Sequence, residues 1–66
     1  MDPNALFHDL ALSVALNDWE TAATQARDLL DWLEKNGFPP TVTGQQEFDR
    51  IVARCTCQAI LNWEVD

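Results

Sequence analysis

A chain of 66 residues, 47% hydrophobic and 23% charged, is sized for one domain and too apolar to be a solvated, disordered tail. A domain this small hides only about 60% of the surface its unfolded form exposes, so a partner chain, a disulfide or a metal is the expected supplement to its core. The formal net charge of −7 is spread along the length. It argues against direct binding to nucleic acid or to an anionic membrane surface, because both need clustered Lys and Arg.

In chain order, Asp2-Pro3 sets a capping side chain before a proline suited to a first helical position, and a helix is expected over residues 3–15. Phe7, Leu10, Ala11 and Val14 form its apolar stripe, with Leu6 at the edge. Leu16-Asn17-Asp18 is a short connection in which Asp18 caps the next helix, so the two helices are antiparallel neighbours. The second helix is expected over 19–36. Trp19, Ala22, Ala23, Ala26, Leu29, Leu30 and Leu33 recur on one face of it, and that face must be buried. Asn36-Gly37 supplies a left-handed residue at its end, Phe38 folds back onto the last turn, and Pro39-Pro40 forbids continuation.

Thr43 and Gln46 match the capping-box spacing, and a third helix is expected over 44–62. Its inner face reads as Phe48, Ile51, Val52, Cys55, Ala59 and Trp63. Nothing reads as a strand. The fold class is therefore all-α: an antiparallel helical hairpin closed by a third, C-terminal helix, a three-helix bundle forming a single domain over residues 1–66. No apolar run approaches the ~20 residues that span a bilayer, and the N-terminus lacks the basic-then-apolar order of a secretion signal, so a cytoplasmic location is expected.

The run Leu16-Asn17-Asp18-Trp19-Glu20-Thr21-Ala22-Ala23 resembles the interhelical turn and second-helix start of a tetratricopeptide repeat. Asn17 stands where that family prefers glycine, while Trp19 and Ala22 match its aromatic and small packing positions. The resemblance covers residues 16–23 and implies only the helical-hairpin geometry. A peptide-binding groove of the family cannot be carried over, because a solenoid needs about three repeats.

Cys55 and Cys57 lie two apart on a helix advancing roughly 100° per residue, so they point away from each other and no mutual disulfide is expected. Metal binding would need more ligands, and the only histidine, His8, is on another helix. Neither a metal, nor a cofactor, nor a small-molecule substrate is expected. Cys55 reads as a small core hydrophobe. Cys57 falls on the opposite face with Ala53, Ile60 and Leu61, a second apolar stripe that three helices leave uncovered. That stripe is the expected interface, and a homodimer or other homo-oligomer is the form it most commonly takes.

Trp32, at the edge of the second helix's stripe, is a further interface candidate, unless its ring packs under the Phe38-Pro39-Pro40 turn. Trp19 and Trp63 are expected in the core. His8 and Asp9 do not face each other, and Ser13 sits at the wrong spacing for His8, so no enzymatic activity is expected. Asp28, Asp31 and Glu34 read as a solvated face.

The function these features suggest is a small acidic protein-interaction or oligomerisation module acting by stoichiometric binding. One alternative is an acidic inhibitor that imitates nucleic acid toward a basic protein. Another is a thiol redox sensor through Cys57, with Arg50 and Arg54 preceding it on the helix.

Overall fold

In the computed structural model of the chain, which describes residues 1–64, an aspartate opens each of the first two helices and an asparagine closes it. Helix α1 spans Pro3–Ala15, α2 spans Trp19–Glu34 and α3 spans Gln46–Glu64. The Asp2 carboxylate accepts from the N–H groups of Asn4 and Ala5, and Asp18 accepts from that of Thr21, so donors that the first helical turn leaves orphaned find partners.

Both C-termini close by the same double bond pattern. After α1, Asn17 takes φ 64°, its N–H reaches Val14 O at 3.0 Å, and Asp18 N–H reaches Ser13 O at 2.8 Å. After α2, Asn36 takes φ 65°, its N–H reaches Leu33 O at 3.1 Å, and Gly37 N–H reaches Trp32 O at 2.9 Å. The left-handed residue is thus Asn36, with Gly37 following it. This explains why α2 ends at Glu34 rather than at the expected position 36. Helix α3 also starts later than the expected 44, because Gly44 at φ 94° holds the chain out of helical geometry until Gln45, whose carbonyl accepts from Asp49 N–H at 2.8 Å.

Helix α2 is the middle element. It packs against both α1 and α3, which barely touch each other. Its expected inner face is largely confirmed: Ala22, Ala23, Ala26, Leu29 and Leu33 are buried, and Leu30 is half-buried. Leu10 of α1 and Ala53, Cys57 and Ile60 of α3 join Ala22, Ala26, Leu29 and Leu33 in a single core cluster. Among the described residues there is no strand, and no helix is long and apolar enough to cross a membrane.

The inner face of α3 is not the expected one. Ala53, Cys57 and Ile60 are buried, whereas Phe48, Ile51, Cys55, Ala59 and Trp63 are exposed and only Val52 is half-buried. Two causes act together. The leucines of α2 already occupy much of the space between the helices, and the α3 side of the contact is filled by Ala53 and Cys57 with Ile60 the one large buried apolar side chain. In addition, the carboxylate of Asp49 is held inward at the start of α3, which fixes the helix's rotation.

Candidate interaction face

Asp49 is only 2% exposed and is fully satisfied by the loop before it. Its Oδ1 accepts from Thr43 N–H at 2.9 Å and from the Thr43 hydroxyl at 2.8 Å; its Oδ2 accepts from Val42 N–H and Gly44 N–H, each at 3.1 Å. Burial alone would raise the carboxyl's pKa. The Thr43 hydroxyl, then the three backbone donors, outweigh that and hold it below its ordinary value. The expected Thr43–Gln46 capping box gives way to this arrangement: the Thr43 hydroxyl donates to Asp49 and accepts from Gln45 N–H at 3.2 Å. No sequence rule singles out an aspartate six positions after the threonine, because the contact depends on how the loop folds back.

With Asp49 turned in, the large apolar side chains of α3 turn out. Phe48 is 54% exposed, Ile51 59% and Trp63 66%, and the exposed Cys55 and Ala59 continue the line at helical spacing. At the far end Trp63 stacks on Trp19 of α2, with ring centroids 5.6 Å apart and planes 24° from parallel. The Trp19 Nε1–H is tied to Asn17 Oδ1 at 2.6 Å. These rings were expected in the core; instead they form a rim. With Val14, Ala59 and Ile60 they line a shallow, apolar cleft of about 200 Å³.

The expected interface residues fall elsewhere. Ala53, Cys57 and Ile60 belong to the internal core, and Leu61 is half-buried against it, so this stripe is covered largely by the chain's own helices. Trp32 is half-buried under its own turn: its Nε1–H donates to Phe38 O at 2.9 Å, and the Phe38 ring meets it edge-on at 5.7 Å. Gly37 is required there, since a Cβ at that position would land on the indole ring.

Burial pushes the Cys57 thiol up to about 11. A redox sensor needs the reverse, an exposed thiol of lowered pKa, whereas Cys57 is buried. Cys55, expected in the core, is the exposed thiol.

The remaining candidates are dispersed. His8 is exposed, and the Ser13 hydroxyl donates to Gln25 Oε1 at 2.8 Å, which ties α1 to α2. Asp31 pairs with Lys35 at 2.8 Å. Among the described residues no group of His, Cys, Asp or Glu is placed to hold a metal, and no buried side-chain polar atom lacks a partner. No protein-family model matches the chain, and no curated protein or solved structure does either.

Proposed function

We propose that this protein is a small interaction module that binds another protein chain stoichiometrically through the outward face of α3. The observation carrying this reading is the exposed line of Phe48, Ile51, Cys55, Ala59 and Trp63. Lone exposed apolar side chains are ordinary, but a contiguous row along one helix marks a surface that profits from being covered. Covering the part of Phe48 or Ile51 still exposed contributes about 1 kcal/mol each, a sizeable sum along the row for a domain of this size. The reading keeps the expected stoichiometric mechanism and moves the contact to the opposite side of α3.

The test places a photo-crosslinking amino acid at Gln58, an exposed position beside the row, and another at the exposed Thr24 on α2. Irradiation should give a discrete covalent adduct with a protein chain from position 58 and none from position 24. Ile51→Asp should abolish the adduct while helicity by circular dichroism is retained. The reading fails if position 58 yields no adduct, or if the adduct survives Ile51→Asp.

A further inference from the structure

Resting on that reading of the α3 face, we infer that the occupant of its N-terminal half, Phe48 and Ile51, is a second copy of this chain, with the two α3 helices crossing antiparallel near Asp49 and Arg50. The argument is one of charge and register. Phe48 and Cys55 are one heptad apart with Ile51 between them, the spacing of a helix-pairing seam. Glu47 and Arg54 each immediately precede a seam residue, so they lie on the same flank. Both are exposed, and neither has an ion-pair partner among the described residues.

In a parallel pair this flank would face Val52 and Ala59 of the second copy, and the charges would meet nothing. In an antiparallel pair the flank faces itself. Phe48 then packs against Ile51 of the second copy, and Glu47 meets Arg54 of the second copy twice over by symmetry. Helix α2 offers no such match. It carries four acids against one arginine, and the chain as a whole carries −7, whereas this flank offers one charge of each sign. The surface shared by two half-helices is small, so the dimer is weak and concentration-dependent.

The experiment measures the solution mass of the full chain by sedimentation over a concentration series, for the native protein, Glu47→Arg, Arg54→Glu, and an equimolar mixture of the two variants. The native chain should approach twice its monomer mass at the highest concentrations. Each variant alone sets like charges opposite each other at both sites and should associate on the order of tenfold more weakly. The mixture restores both attractive pairs and should recover native-like association.

In this register the two Cys55 Cα atoms lie roughly 16 Å apart along the helix axes, beyond the ~7 Å a disulfide tolerates, so oxidation should not link the copies. A native chain that stays monomeric at every concentration overturns the inference; the interaction reading then stands if position 58 still crosslinks to a different protein. A dimer indifferent to all the charge changes, or one joined through Cys55, overturns the antiparallel register and the inference with it.

Discussion

The two sides of α3 carry opposite lessons about what turns a helix inward. The outer side holds more of the larger apolar residues, Phe48, Ile51 and Trp63, yet it faces solvent; the inner side holds Ala53, Cys57 and Ile60 beside a carboxylate, yet it is buried. Summed hydrophobicity alone would choose the outer side. Fit against α2 and the four hydrogen bonds to Asp49 choose the inner one, because a core at crystal-like density rewards shape and penalises unsatisfied polar groups.

The largest measurable contrast between the sides is chemical. Under native conditions Cys55 should react with a thiol reagent at the rate of an open thiol, while Cys57 should wait for unfolding and react about a hundred- to a thousandfold more slowly. Mass spectrometry of partly labelled protein reads the ratio directly. Equal rates would mean that the inner side is not closed.

A smaller contrast is energetic. Ala53→Leu forces bulk into the α2–α3 contact and should cost about 1–3 kcal/mol in denaturant titration, whereas Ile51→Gln on the outer side should stay within about 0.5 kcal/mol. Similar costs for both changes would remove the distinction between the sides.

The finest contrast is in the pH profile, where both buried acids of α3 leave a signature of predictable sign. Asp49 is held below its ordinary 3.8, so its contribution is complete above that pH and is lost as the pH falls through the lowered folded value, where the native carboxylate must take up a proton. Asp49→Asn should flatten this acid limb. Cys57 is raised from 9.0 to about 11: the unfolded thiol ionises first, so stability is full below pH 9.0 and declines as the pH rises toward 11. Cys57→Ala should remove that alkaline limb. Thermal melts at stepped pH check both, and a limb that survives its substitution assigns it to another group.

The hairpin was legible because its signals are local. Asp2-Pro3, Asp18, Asn17 and Asn36 act within a few residues of where they stand, and the single stripe of α2 left its buried side in no doubt. The rotation of α3 was not legible. Its outer row has the stronger helical periodicity, and the deciding facts, the space left by the leucines of α2 and the loop that reaches Asp49, lie on other parts of the chain. The same holds for Trp32 and Trp63: apolar spacing puts both at helix stripes, but only the folded turn shows that Phe38 O captures one indole, and only the helix end shows that Trp19 stacks on the other. The α3 interface residues Ala53, Cys57, Ile60 and Leu61 were misplaced for one reason, since reversing α3 exchanges core and surface together, and Trp32 for another, its capture by the turn that ends α2.

The turn that ends α2 also bears on how the molecule ages. An asparagine followed by glycine is the pair most prone to lose ammonia, a reaction in which the glycine nitrogen attacks the asparagine side-chain carbonyl and closes a five-membered imide. Here the Gly37 nitrogen donates its proton to Trp32 O at 2.9 Å, and the indole lies against the glycine, so the would-be nucleophile is tethered and shielded for as long as the turn is closed. Slow conversion of Asn36 to isoaspartate and aspartate on storage, as water opens the imide at either carbonyl, is therefore a clock for the opening of this one turn, running independently of the faces of α3.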